Sequence, residues 1–261
     1  MPSVKTASVV KSGHAERVEP ALEHLRALAE RCGVELVNGE GRPDIAVVLG
    51  GDGTMLRALA RFLDAEVPVL GVNYGRVGFL TAVDPDRLDV DLPRVFAGDY
   101  AVIELPTLEV EVAGERHVAV NDAVITSGTI GRIVELGYAL GSDDLGSQRC
   151  DGLVCATPQG STAYNLSNGG PVLVWGLDAL VLTFVAPHSL HVRPLVVPRG
   201  PDLSVTNNSV DVPTRVIVDG HEVASLDPGD RAVLRLGAGR CRLATLPGVT
   251  FFTRYAAAFG H

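Results

Sequence analysis

Residues 45–63 read IAVVLGGDGTMLRALARFL, and this stretch decides the fold class. Ile45 to Leu49 is a continuous apolar run, the pattern of a strand buried on both faces of a parallel sheet. Met55, Leu56, Leu59, Phe62 and Leu63 then recur at helical spacing. Between strand and helix lies Gly50-Gly51-Asp52-Gly53-Thr54. Outward from this unit the alternation continues. Val4–Val10, Val34–Val37 and Val67–Val72 read as strands, and Val18, Leu22, Leu25, Leu28 and Ala29 mark a helix over Ala15–Arg31 that Gly33 stops. A second glycine loop, Asn73-Tyr74-Gly75-Arg76-Val77-Gly78, follows the strand at Val67–Val72. Strands alternating with helices give βαβ units, hence an α/β domain over residues 1–98.

After Gly98 the texture changes. Tyr100–Val112, His117–Thr126, Arg132–Leu140, Leu153–Ala156, Leu180–Ala186, Leu203–Thr206, Arg215–Val218 and Ala232–Leu236 are all β-like. Ala113-Gly114 and Asp219-Gly220 read as hairpin turns. Only the stretch after Gly160 has helical promise, so residues 99–248 form a β-rich domain. The aromatic, alanine-rich tail, 249–261, is expected to pack back on the first domain.

Composition removes several function classes. The 261 residues carry 31 acidic and 22 basic side chains, a net charge of −9, which argues against a nucleic-acid partner. Lys5 and Lys11 are the only lysines. A Walker A loop and a protein-kinase strand lysine are thereby excluded, and a Schiff-base enzyme is disfavoured. Any phosphate chemistry must rest on backbone amides, arginine and metal. Cys32, Cys150, Cys155 and Cys241 form no CxxC pair. The longest apolar tract, Pro171–Pro187, is interrupted by Gly176 and Asp178 and is short for a membrane span. The expectation is a cytoplasmic protein with reduced thiols and no membrane partner.

Three clusters carry chemistry. In the first, glycines at 50, 51 and 53 let backbone approach a ligand, and the free amides at the helix start, with Thr54, attract phosphate. Asp52, a carboxylate inside an anion-binding loop, suits a proton acceptor or a Mg²⁺ ligand; an N-capping Asp is the structural alternative. The second, Asp151–Pro171 (DGLVCATPQGSTAYNLSNGGP), is dense in hydroxyl and amide groups suited to ribose and phosphate oxygens, with Tyr164 available to stack on a base. The third is Asn121-Asp122, poor strand formers within a strand pattern, which could hold ribose hydroxyls or simply make a bulge. His188 and His191 stand at metal-like spacing, but no third ligand is near in sequence, and no metal site is assigned. Ser161 does not sit in a Gly-x-Ser-x-Gly elbow, and no GxGxxG opens a helix.

In this order the clusters resemble the ATP–NAD kinase family, over about Ile45–Pro198. The resemblance rests on GGDGT (50–54), GVNYGRVGFLT (71–81), Asn121-Asp122, the 151–171 stretch and PHSLHVRPLVVP (187–198). GGDG alone is shared with lipid kinases and phosphofructokinase-like enzymes; the long second stretch is specific. The resemblance implies an α/β N-terminal domain, an all-β, sandwich-like C-terminal domain, NAD bound between them, homodimers or homotetramers, and Mg²⁺ or another divalent ion as cofactor. It implies transfer of the terminal phosphoryl group of ATP, or of polyphosphate, to the 2′-hydroxyl of the adenosine ribose of NAD. Asp52 matches the family's proton acceptor. Gly53, Arg57, Asn121, Asp122, Arg132, Arg149, Asp151, Thr162, Ala163, Tyr164, Asn165, Leu166 and Ser167 match NAD-contacting positions.

Four places depart from the family pattern. Asn-Glu is Asn121-Asp122, Thr-Pro-Thr-Gly is Thr157-Pro158-Gln159-Gly160, Ser-Ala-Gly-Gly is Ser167-Asn168-Gly169-Gly170, and Asp-Gly-Gln is Asp219-Gly220-His221. His221 thus joins the candidate NAD contacts. Two other readings stay open at this level: a related kinase acting on a different hydroxyl, and a catalytically weak NAD(P)-binding sensor.

Overall fold

The computed structural model describes residues 1–13, 15–37, 41–75 and 78–260. The chain divides into two compact units, one of Met1–Leu105 with Arg240–His261 and one of Pro106–Gly239. The sequence reading set its divisions at 98 and 248.

The first unit is α/β. Its elements are β1 (Thr6–Lys11), α1 (Ala15–Cys32), β2 (Glu35–Val37), β3 (Ile45–Gly50), α2 (Asp52–Arg61), β4 (Val69–Asn73), α3 (Leu88–Phe96) and the start of β5 (Ala101–Val112). The strands run parallel in the order β2-β1-β3-β4, with Ala7 opposite Ile45 and Val47 opposite Leu70. Every residue of β3 is buried, as the unbroken apolar run requires of a central parallel strand. Leu22, Leu25 and Leu28 of α1 and Leu88, Leu92 and Val95 of α3 pack with Ile45, Val47, Leu49 and Leu70 in one core.

The sequence reading did not find α3. Pro93 lies inside it and reads as a breaker. Its start is nevertheless well prepared. The Asp84 carboxylate accepts the Asp86 N–H, and Pro85 opens the short 3₁₀ turn that leads into the helix.

The second unit is all β apart from short turns of helix. In chain order it holds the rest of β5, then β6 (Glu115–Ala119), β7 (Asp122–Ser127), β8 (Val134–Leu140), β9 (Asp143–Cys150), β10 (Gly152–Ala156), α4 (Tyr164–Ser167), β11 (Ala179–Val185), β12 (Leu195–Pro198), β13 (Leu203–Asn207), β14 (Thr214–Val218), β15 (His221–Leu226) and most of β16 (Arg231–Thr245). One antiparallel sheet has the order β12-β11-β10-β7-β14-β15; in a second, β16, β13, β8 and β9 are successive neighbours. Ile125, Leu153, Leu182 and Val216 from the first sheet share a core with Leu136, Leu203, Val205 and Leu234 from the second. Tyr138 and Phe184 meet edge to face across it, ring centres 5.1 Å apart. Alternating inward and outward residues in β13 (buried at Leu203, Val205 and Asn207) are the signature of such a sandwich.

The Ala113-Gly114 and Asp219-Gly220 hairpins form as read, with φ of 52° and 80° at the first pair and 45° and 83° at the second. The single β run expected over His117–Thr126 is instead two strands, broken at Val120-Asn121. The helical promise after Gly160 amounts to one 3₁₀ turn and the four residues of α4.

After β16, Leu243 and Ala244 pair in parallel with Val69 and Leu70 of β4. The chain then forms α5 (Phe251–Phe259), capped reciprocally by Thr250 and Thr253. Among the described residues no helix is long and apolar enough to cross a membrane.

Candidate active site

One candidate cluster lies in the α/β unit. Gly51, not Asp52, is the N-cap of α2, and it makes no side-chain cap hydrogen bond. The capping alternative for Asp52 is thereby set aside. Asp52 is the first helical residue, and its carboxylate accepts the N–H of Phe79 (2.9 Å) and of Leu80 (3.2 Å). Twenty-seven residues of chain therefore separate the carboxylate from the first amide that orients it. Gly78 packs against the same group; a Cβ there would collide with the Asp52 carboxylate. Gly53 is the opposite case, because a Cβ there meets nothing within 4 Å. No packing demands glycine at 53, so the space beside the helix start is open to a ligand.

The two glycine loops are tied together, since Tyr74 donates its N–H to the Gly50 carbonyl (3.0 Å). Arg57, one turn along α2, is exposed and reaches Thr54 Oγ1 at 3.5 Å. Arg76 and Val77 of the second loop lie outside the described residues.

The tail supplies a group that the sequence reading missed. Arg254 of α5 donates from Nη1 to the Gly78 carbonyl (3.1 Å). Burial pushes its guanidinium below the ordinary value, and the negative charge of Asp52 opposes that shift.

A second candidate cluster lies in the β unit, at the break between β6 and β7. The Asp219 carboxylate accepts three successive main-chain N–H groups, from Val120 (2.6 Å), Asn121 (2.8 Å) and Asp122 (3.1 Å). Thr157 grips the other side. Its Oγ1 donates to the Val120 carbonyl (2.7 Å), and its N–H donates to the Asn121 carbonyl (2.9 Å). Gly160 passes so close that a Cβ would strike the Asn121 carbonyl. Asn121 Oδ1 is buried with no partner among the described residues. A buried acceptor left unpaired costs about 1–3 kcal/mol, so a corner held this firmly points to a donor brought by a ligand.

Asp122 is buried beside Asp219. Burial, then the neighbouring Asp219 charge, raise its carboxyl to about 7. Burial raises Asp219 too, while its three amide donors and His221 pull it back down. We assign the anion to Asp219, which accepts three donated hydrogens, and the proton to Asp122.

The remaining candidates separate into two groups. Thr162, Ala163, Tyr164, Asn165, Leu166 and Ser167 follow Gly160 directly, and His221 starts β15 just past Asp219. All belong to the Asn121-Asp122 end of the sheet. Tyr164 is 44% exposed, as a stacking ring needs to be. Asn165 is fully buried and its side chain is committed internally: Nδ2 donates to Ser161 O and Pro171 O, and Oδ1 accepts from Thr183. Its part is to shape the loop.

Arg132, Arg149 and Asp151 fall at the other end. Asp122 lies opposite Ala156 and Thr126 opposite Gly152, so Asp151 is separated from the corner by the length of β10. At about 3.3 Å per residue, the five residue steps from Ala156 to Asp151 span roughly 17 Å. Within this unit the structure does not bring the two groups together. Arg132 instead forms a two-oxygen pair with Asp211 at 2.9 and 3.0 Å.

Two family models match the chain, the ATP-NAD kinase N-terminal domain over residues 9–100 and the ATP-NAD kinase C-terminal domain over residues 120–246. The chain belongs to the ATP-NAD kinase family. It is 37% identical over 221 residues to a NAD kinase of Gemmatimonas aurantiaca, covering 81% of this chain and 75% of that protein. It is 40% identical over 221 residues to a NAD kinase of Symbiobacterium thermophilum, covering 81% and 77%. Among solved structures it resembles an NAD kinase from Archaeoglobus fulgidus in complex with ATP (TM-score 0.75, 26% identity, 98% and 97% covered). It also shares its fold with yeast NADH kinase complexed with NADH (TM-score 0.87, 22% identity, 100% and 89% covered).

Departures from the ATP-NAD kinase pattern now have physical content. Gln159 is buried, and its Nε2 donates to the carbonyls of Pro106 and Val120, both at 2.6 Å. It therefore braces the Asn121 corner from behind. Asn168 donates to the Tyr164 carbonyl at 2.8 Å and closes the turn of α4. Asp219, read in the sequence as half of a turn and as the first residue of the Asp-Gly-His departure, is the main anchor of the corner. The Asp-Gly pair signalled its backbone; nothing local signalled its three amide partners.

Proposed function

We propose that this chain is an ATP-dependent NAD kinase in which Asp52 is the proton acceptor. The 2′-hydroxyl oxygen of the adenosine ribose bonds to the terminal phosphorus of ATP as the bridging oxygen–phosphorus bond breaks and ADP leaves. Asp52 takes the hydroxyl proton. Phosphoryl transfer needs positioning and charge neutralisation more than covalent catalysis. The observation that carries the reading is the Asp52 carboxylate, fixed by two amides at the start of a helix beside the open space at Gly53. A base so placed supplies about 10²–10⁴-fold, or about 3–5 kcal/mol of barrier. The Asn121-Asp122 corner and the Thr162–Ser167 loop are the proposed dinucleotide contacts, with polyphosphate as a possible alternative donor.

The family implies a divalent cation. Among the described residues no three His, Cys, Asp or Glu side chains converge, so they do not form a resident metal cage, and no step here runs through one. The same family reading extends to a homodimer or homotetramer acting in the cytoplasm. Four free cysteines, three of them buried, suit a reducing compartment. Light scattering and cell fractionation check these points.

The test is NADP⁺ formation from NAD⁺, ATP and Mg²⁺, read by an NADP-specific dehydrogenase, with Asp52→Asn alongside. Turnover by the wild type and its loss in a variant that still binds NAD⁺ is the expected result. NAD⁺ binding without turnover in the wild type would replace this reading with the sensor.

A further inference from the structure

Arg254 stands on a segment that contacts the support of Asp52 from far along the chain. Phe79, whose N–H lies 2.9 Å from the Asp52 carboxylate, has its ring against those of Phe251 (6.3 Å between centres) and Phe259 (5.6 Å). Arg254 lies between these two on α5 and hydrogen-bonds the carbonyl of Gly78, the residue before Phe79. Helix α5 thus holds the short segment Gly78–Leu80 by the Gly78 carbonyl and by the Phe79 ring. The Phe79 and Leu80 amides of that segment hold the carboxylate. Burying an arginine stem is ordinary, but a half-buried guanidinium is costly unless its charge is answered. The answering charge is Asp52 itself, near enough to act on the guanidinium though not in direct ion-pair contact.

We propose that Arg254 is a positioning residue for phosphoryl transfer: from α5 it fixes the Gly78–Leu80 segment that aims the Asp52 carboxylate. This rests on Asp52 being the proton acceptor. Arginine suits the task here because a fixed cation beside the base also counters negative charge gathering at the phosphates, and the chain has no lysine after residue 11 to do so. An aromatic clamp alone would anchor the helix. It would not hold a carbonyl against rotation of its peptide plane, and that plane carries the Phe79 N–H.

The test compares wild type, Asp52→Asn, Arg254→Met and Arg254→Lys in the NADP⁺ assay, with melting temperatures. Arg254→Met is expected to lower kcat by about 10²-fold, the usual scale for a misplaced catalytic group, with KM for NAD⁺ within about twofold of wild type. Arg254→Lys, which keeps a cation and a donor, recovers at least about tenfold of that loss. A structural role alone would instead lower the melting temperature and move kcat and KM together, with no advantage for Lys. If the Met variant does not fold, Arg254→Gln replaces it, being polar and helix-forming but short of the Gly78 carbonyl. A Met or Gln variant with wild-type kcat overturns the assignment. Failure of the underlying reading is seen separately, as an inactive wild type or a fully active Asp52→Asn.

Discussion

Asp219 and Asn121, 98 residues apart, are joined by a 2.8 Å hydrogen bond in which a carboxylate holds a main-chain amide. The Val120 and Asp122 amides complete the set. A carboxylate accepting two or three backbone N–H groups is a strong local anchor. Asp219→Ala leaves three amides without their acceptor and is expected to cost about 2–5 kcal/mol in urea unfolding. NAD affinity should fall at least about tenfold, since the corner that presents Asn121 is released. Wild-type affinity in this variant sinks the anchoring role.

Asp122 gives the protein a pH dependence with a definite sign. Its folded carboxyl titrates at about 7 against an ordinary 3.8, so the folded chain keeps a proton that the unfolded chain releases. The raised group contributes its full stability below about pH 4 and loses it progressively as pH climbs to about 7, at most about 4 kcal/mol in all. The titratable groups facing it are Asp219 from the β14–β15 turn and Cys155 from β10, whose thiol burial pushes up to about 12 and so keeps neutral; His221 faces Asp219 in turn. Asp122→Asn removes the slope. Chemical denaturation at several pH values should show the variant gaining on wild type between about pH 4.5 and 7.5. A constant gap between the two curves contradicts the proton on Asp122.

Gly53 separates packing from ligand approach. A methyl group has room there, and alanine is the better helix former, so Gly53→Ala should hold or raise the melting temperature. Turnover should fall at least about tenfold if the ligand's phosphates use that space. A stable, fully active Gly53→Ala variant would mean that the open space has no catalytic use.

Two other glycines should split the kinetic constants between them. A methyl at Gly78 runs into the Asp52 carboxylate, and one at Gly160 runs into the Asn121 carbonyl. Gly78→Ala is expected to depress kcat by about 10²-fold with little change in NAD binding. Gly160→Ala should raise KM for NAD and destabilise by about 1–3 kcal/mol. The reverse pattern would exchange the roles given to the two clusters.

What the sequence disclosed depended on whether the signal was local. Ile45–Leu49 announced a buried parallel strand because burial on both faces leaves no polar position to interrupt the run. Asp219-Gly220 announced its hairpin because few residue pairs accept positive φ twice. Asp143–Cys150 announced nothing: it is polar, mostly exposed, and a strand only through its pairing with β8. Asp52 was legible as chemistry because a carboxylate among phosphate-loop glycines is out of place. The amides that orient it, the brace of Gln159 and the guanidinium of Arg254 were not, since each partnership joins residues separated by 27 to 176 positions. The separation of Arg132, Arg149 and Asp151 from the Asn121 corner was hidden for the same reason, because a family motif gives order along the chain and not the end of the strand on which each residue falls.

The return of residues 240–261 to the first unit sets an order of manufacture. A ribosome delivers Asp52 and the Phe79 and Leu80 amides early, while the neighbour of β4 and the helix bearing Arg254 follow roughly 135 residues after Leu105. At about 5–20 residues per second, the α/β unit waits about 7–27 s with its sheet unfinished while the β unit is made. The nascent chain therefore carries the proposed proton acceptor without its bracket, which arrives only with α5.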